Sequence, residues 1–316
     1  MLARLGAART GGLVALALAL ALLPLVLVNR YLYDVAILVG LNAIVCVGLN
    51  LLIGYAGQIS LGHAGFFALG GYGSAILAVR YGWPTLAALP VSVCGVTLLA
   101  FLVGRPILRL KGHYLAMATL GLGVIITVVL TTEDRFTGGP DGMSVPPLAL
   151  LGRALGGERA WYWLVGALLI ACVWLALNLV ESPRGRALRA LHGSEVAAEM
   201  IGIDSARHKL AVFVLSAGLA AAAGALTAHY SGFITPSQGG FLRSIELVTM
   251  VVFGGMASIF GAVVGAAVLT TLPQLLTTLK DYEMVVFGAV MMFTMIFMPR
   301  GIVPTVAALF KRRTRQ

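Results

Sequence analysis

Polar and apolar positions are sharply segregated along this chain. Asp, Glu, Lys and Arg are absent from Gly11 to Asn29, Val35 to Val79, Tyr81 to Gly104, Trp161 to Val180, Leu210 to Leu242 and Leu247 to Leu279. A run of about 18 such residues is long enough to cross the hydrocarbon of a bilayer as a helix. The runs lack the apolar/polar alternation of a barrel strand, so helix is the spanning form. The expected fold class is all-α: a polytopic integral membrane protein with a single transmembrane domain over 1–316. Hydropathy places helices at about 12–28, 33–53, 60–79, 85–104, 113–131, 161–180, 209–229, 246–261, 262–278 and 283–299. The run Leu247 to Leu279 is too short for two full spans, and short, broken or re-entrant helices are expected there. The first apolar run follows Arg4 and Arg9 like a signal peptide, but a second span begins almost at once, which favours an uncleaved first helix.

Composition agrees: 59% of the 316 residues are hydrophobic and 11% charged, against about a quarter charged in a soluble domain. The formal charge of +10 carries topology. With the amino terminus inside, fifteen of the 22 basic residues fall on inner segments, among them Arg105, Arg109, Lys111, Arg184, Arg186, Arg189, Arg207 and Lys209. Only Glu181, Glu195, Glu199 and Asp204 oppose them there, whereas seven basic and eight acidic residues fall outside. Basic residues favour the cytoplasmic side, so both termini and the 181–208 connection are expected in the cytoplasm and the 132–160 loop outside. No basic patch is interleaved with aromatics, which argues against a nucleic-acid partner. Cys46, Cys94 and Cys172 lie in expected spans without ligand spacing and read as small packing residues.

The two long connections differ. Gly138-Gly139-Pro140-Asp141-Gly142 and Pro146-Pro147 mark the outer one as rich in turns. In the inner one, Ser182-Pro183 has the form of an N-cap with proline at the first helical position. Gly193 stops that helix, and Ser194 can cap a second that ends near Gly202-Ile203-Asp204. The pattern predicts a short amphipathic pair lying on the membrane face.

No lysine follows a glycine, so the chain offers no phosphate-binding loop. It shows no catalytic cluster, cofactor motif or metal-ligand spacing either, which leaves an embedded enzyme without support. Asp34, Glu246 and Glu283 fall at span ends, and histidines are the only ionisable groups deep in the charge-free runs; His63 is the candidate for ion coupling. Two glycine-rich segments interrupt apolar runs in opposite halves: Gly54 to Gly65, with Gly57, Gln58, Ser60 and His63, and Gly254 to Gly261, with Gly255 and Ser258. Broken helices in corresponding halves point to a substrate path, while close packing through small residues is the alternative.

Leu49 to Phe67, Leu110-Lys111-Gly112-His113-Tyr114, Thr137 to Gly142, Ser182 to Ala187, Phe253 to Ala257 and Pro299-Arg300-Gly301 together resemble the permease subunits of bacterial branched-chain amino acid ABC importers, the LivM type in particular. The resemblance implies a multi-pass subunit of the inner membrane. Its implied partners are a homologous second permease subunit, two ATP-binding cassette subunits that bind the ATP, and a periplasmic solute-binding protein. It also implies that Ser194 to Asp204 holds the coupling helix that docks on an ATPase. There Ala197, Ala198 and Gly202 fit the family's Glu-Ala-Ala-x-x-x-Gly pattern, and the glutamate, Glu195, stands one place early. Urea and amide importers of the same family are the alternative by substrate. An ion-coupled carrier or a channel is the alternative by mechanism.

Overall fold

A computed structural model describes residues 2–26, 29–150 and 153–275, with isolated positions between 285 and 305. Helices α1 (Leu2–Val26), α2 (Arg30–Asn50), α3 (His63–Arg80), α4 (Thr85–Ile107) and α5 (His113–Thr132) follow the apolar runs. A connection begun by the short α6 (Asp134–Thr137) leads to α7 (Glu158–Glu181). Then come α8 (Pro183–Gly193), α9 (Glu195–Met200), α10 (Ser205–Ser231), α11 (Phe241–Gly254) and α12 (Ile259–Leu275). Among the described residues, five spans are long and apolar enough to cross a membrane: α2 extended to Tyr55, α4, α5, α7 and α10. The fold is all-α and polytopic, as the hydropathy required. The span expected at 283–299 lies outside the described stretches.

Side-chain contacts sort the connections onto two faces. On one, Glu195 Oε1 meets Lys209 Nζ at 2.7 Å and Lys111 Nζ at 3.5 Å. Gly57 lies against His192 on the same face. The α2–α3, α4–α5 and α7–α10 connections therefore start from one side, the basic face. On the opposite face, strand β1 (Met143–Ser144) pairs antiparallel with β4 (Phe233–Ile234), and Arg30 approaches Glu158 at 3.8 Å. The Ala149 N–H donates to the Thr85 hydroxyl there, beside a hairpin of β2 (Ala149–Leu150) and β3 (Arg153–Ala154). The outer connection is thus more ordered than its turn residues suggest.

The α2 span is the centre of the bundle. Of its most apolar stretch, 83% is buried, against 22% for α4 and 28% for α5. Small residues bring backbones together around it. Gly70 of α3 faces Ala221 of α10, and Gly224 of α10 faces Phe67 of α3, so closely that a Cβ at either glycine would run into a backbone carbonyl. His63 meets Ser216 and Ser74 meets His229, contacts that advance together along both helices, so α3 and α10 run parallel. Helix α12 runs antiparallel to α2, with Asn42 donating to Thr270 at 2.9 Å and Tyr31 to Gln274 at 2.6 Å.

The 33-residue apolar run holds the second half of α11, a 14-residue helix that starts before it at Phe241, and α12, of 17 residues. The sequence reading put their boundary at 261, whereas the break lies at 255–258. The chain reverses there through Gly255 at φ 123° and Ala257 at φ 58°, and the Ser258 hydroxyl caps α12 by accepting from Gly261 N–H at 3.1 Å. Cys46 and Cys172 are buried as expected, but Cys94 is exposed on α4.

Candidate functional site

Helix α2 ends in a π-helical turn at Leu51–Tyr55, where Ala56 N–H bonds to Leu51 C=O at 3.2 Å. Such bulges are frequent where a helix serves a site. Gly57 follows at φ 67°, a conformation that a side chain would strain. Residues 56–62 then run without helix from the basic face into the bundle. They end at His63, whose ring nitrogens pair with the Ser60 and Ser216 hydroxyls, each at 2.8 Å. Ser216 lies about 16 Å along α10 at 1.5 Å per residue, close to its midpoint. Helix α3 therefore begins near mid-depth and crosses only the half away from the basic face.

A second crossing mirrors the first from the opposite face. Tyr55-Ala56-Gly57-Gln58-Ile59-Ser60 has a counterpart in Tyr230-Ser231-Gly232-Phe233-Ile234-Thr235 at the end of α10, with Gly232 at φ 70°. After β4 and a 3₁₀ turn at Pro236–Gly239, α11 begins beside α3: Ser244 Oγ accepts from the Ala64 N–H at 3.2 Å. The Arg243 guanidinium reaches Asn42 Oδ1 at 2.6 Å and Glu246 Oε2 at 2.9 Å. Asn42 lies about 18 Å from the start of α2 and about 20 Å from Tyr55 at helical rise. Arg243 and Glu246 are thus at mid-depth, not at a span end on the outer side where hydropathy put them. A run defined by missing charges must end at the first charge, even when the backbone has dipped inward before reaching it.

This arrangement revises the pairing of glycine-rich segments. The structural partner of the first segment is 230–241, and the repeated Tyr-x-Gly-x-Ile-Ser/Thr was the sequence signal for it. Gly254 and Gly255 belong to the α11–α12 reversal, where Gly254 sits against Gly261 and Gly265 at backbone contact. Ser258 is a helix cap. The reversal is held by Asn50, fully buried, which donates to Ser258 C=O at 2.7 Å and Gly255 C=O at 3.3 Å and accepts from Ala257 N–H at 2.9 Å. Gly54 fits beneath Ala257 there. The packing alternative holds for Gly54, Gly254 and Gly255. His63, Ser60 and Ser216 form a buried cluster that ties the first crossing to α10. Gln58 differs: it is buried, and neither atom of its amide meets a partner among the described residues.

On the basic face, two caps follow the sequence: Ser182 Oγ accepts from Gly185 N–H and Ser194 Oγ from Ala197 N–H. A third, not expected, is Asp204 Oδ1, which accepts from Arg207 N–H at the start of α10. Glu195 turns back to Lys209 and Lys111. Partial burial raises its carboxyl pKa, but the hydrogen bond and charge of Lys209, then Lys111, outweigh this and hold it below the usual range. Ala198 is buried against its own subunit, so only Ala197 of the alanine pair faces outward. Gly202 turns the chain at φ 84° with open space around it. Val196, Met200 and Ile201 are 68%, 85% and 76% exposed. Beside them a cavity of about 760 Å³ opens between α7, α8 and α10, lined in part by Arg184, Asp204 and Arg207.

Residues 31–295 match the family model described as the permease component of branched-chain amino acid transport systems. The chain is 33% identical over 269 residues to the high-affinity branched-chain amino acid transport system permease protein LivM of Salmonella typhimurium, covering 78% of this chain and 63% of that one. Identity to the LivM of Escherichia coli is 34% over 257 residues, or 74% and 60% of the two chains. The LivH permease of Salmonella typhimurium is 27% identical over 238 residues, 73% of this chain and 72% of its own. The chain thus spans less than two thirds of these two LivM relatives. No solved structure matches it.

Proposed function

From the premise that this chain belongs to the permease family of branched-chain amino acid transport systems, we propose that it is a membrane-spanning subunit of an ABC importer for branched-chain or related hydrophobic amino acids. Separate ATPase subunits bind the ATP and drive it, a homologous permease completes the path, and a periplasmic binding protein delivers the solute. The basic face is cytoplasmic. This chain carries no ATPase site of its own.

The observation that supports this reading is α9. A capped six-residue helix is pinned to the bundle by Glu195, Lys209 and Lys111, yet it turns Val196, Met200 and Ile201 to solvent. Three uncovered apolar side chains on a held helix make a docking ridge, and a ridge fixed to α10 passes rigid-body motion of its partner into the spans. Ala198 does not belong to this ridge, so the informative substitutions are Met200→Asp and Ile201→Asp. Desolvating an unpaired carboxylate in a packed interface costs about 3–5 kcal/mol. Both variants should reach the membrane at normal levels, lose the co-purifying ATPase subunits and lose at least tenfold in amino acid uptake. Normal co-purification with normal uptake in both would reduce α9 to a linker. It would also favour the ion-coupled carrier, to which Glu246 at mid-depth lends one feature.

A further inference from the structure

The Arg243–Glu246 pair is placed where a bilayer tolerates charge least, and it is not enclosed. The Arg243 side chain is 27% exposed and that of Glu246 44%. Around it Leu242 and Phe241 are 65% and 46% exposed, so the start of α11 forms an open edge of the subunit. Ionisable groups at membrane depth face water or protein and not lipid. The pair therefore marks a side of the subunit that turns away from the acyl chains. It is also held ready: Asn42 Oδ1 takes one guanidinium nitrogen, Thr270 fixes Asn42, and the Arg243 Cζ lies 6.0 Å over the Phe67 ring. The other deep polar cluster, Ser60–His63–Ser216, is buried and its ring nitrogens are fully engaged.

We propose that Arg243 and Glu246 form the mid-depth station that receives the two charged ends of a zwitterionic α-amino acid, an inference that rests on the importer reading above. Such a solute crosses with its ammonium and carboxylate both charged. A path of apolar residues alone would have to strip both of water with nothing in exchange. A guanidinium and a carboxylate already 2.9 Å apart offer the complementary pair. When the solute arrives, its carboxylate takes the face of the Arg243 fork that Glu246 holds at rest, and its ammonium takes Glu246. The internal pair exchanges for two external ones, no proton moves, and the pair closes again once the solute leaves. The exposed Leu242, Phe241 and Ile245 beside it suit an apolar side chain.

The test uses the complete complex in proteoliposomes, with binding protein inside the assay and labelled leucine as the probe. Glu246→Gln and Arg243→Gln should each lower leucine uptake at least tenfold at equal amounts of assembled complex. The exchanged double variant, Arg243→Glu with Glu246→Arg, should recover several-fold over either single variant. In a background lacking the three native cysteines, Leu242→Cys should react with a small charged thiol reagent, and saturating leucine with the binding protein should slow that reaction. Wild-type uptake by both single variants, or an unreactive Leu242→Cys, overturns the station while leaving the importer standing. A wild-type complex that hydrolyses ATP but takes up no amino acid overturns both readings.

Discussion

The crossings at 56–62 and 232–240 leave their helices by the same Tyr-x-Gly-x-Ile-Ser/Thr turn, but they arrive in different surroundings. The first delivers His63 into a closed, uncharged cluster of hydroxyls on α10. The second delivers Arg243 and Glu246 to an open edge. Inverted copies of one backbone device thus hold two different cargoes, a fastener and an exposed ion pair. The comparison teaches that backbone irregularity at depth does not by itself identify a path. In a medium without water, an unwound segment must satisfy its polar groups locally, and the first crossing does this at His63, though not at Gln58. Only where charge remains on an open surface does the geometry require something beyond the subunit.

The strongest attempt to break this division is His63→Leu. It removes both ring bonds and leaves the buried Ser60 and Ser216 hydroxyls unpartnered, at about 1–3 kcal/mol each. Thermal unfolding in detergent should drop by several degrees, while uptake per folded molecule stays near wild type. Unchanged melting with lost uptake would move His63 from fastener to path and erase the contrast with Glu246.

A smaller effect tests whether the two turns are equivalent. Gly57→Ala and Gly232→Ala both place a side chain in the left-handed region, at about 1–2 kcal/mol. Gly57 should be the costlier, because its Cβ would come to 3.0 Å from His192 Nδ1, whereas that of Gly232 meets only Val145 O at 3.9 Å. A reversed order in chemical denaturation would show that the first turn has room the contacts deny. The smallest effect belongs to Gln58→Leu. An amide without a partner among the described residues contributes no bond to lose there, so stability should stay within about 0.5 kcal/mol of wild type or rise. A clear loss would mean that Gln58 does fasten the first crossing.

Much of this architecture was legible in the chain. The charge-free runs located the spans, the basic residues sorted the faces, and Ser182 and Ser194 marked helix starts at which each caps a backbone N–H; the cap by Asp204 at the start of α10 was not read. The first glycine-rich segment was recognised as a helix break. Its partner at 230–241 is hidden from glycine content, because Gly254–Gly261 is the richer match by composition alone. Glycines serve backbone contact and reversal equally, and only the Tyr-x-Gly-x-Ile-Ser/Thr order separates these uses. The direction of Ala198 was hidden for a related reason: a six-residue helix has too few turns for periodicity to say which alanine faces inward.

The shortness of α11 bears on how the protein is made. At about 21 Å it cannot span some 30 Å of hydrocarbon, and it carries two charges into that layer. It is a poor candidate to leave the insertion machinery as an independent segment. Its guanidinium finds a partner in Asn42, translated about two hundred residues earlier, and the reversal after it is clasped by Asn50 of the same helix. The second half of the chain must therefore partition into lipid against a first half that is already seated. Biogenesis of this subunit becomes a matter of docking α10 to α12 onto α2 as a unit, and α2 acts as the template on which the later helices are assembled.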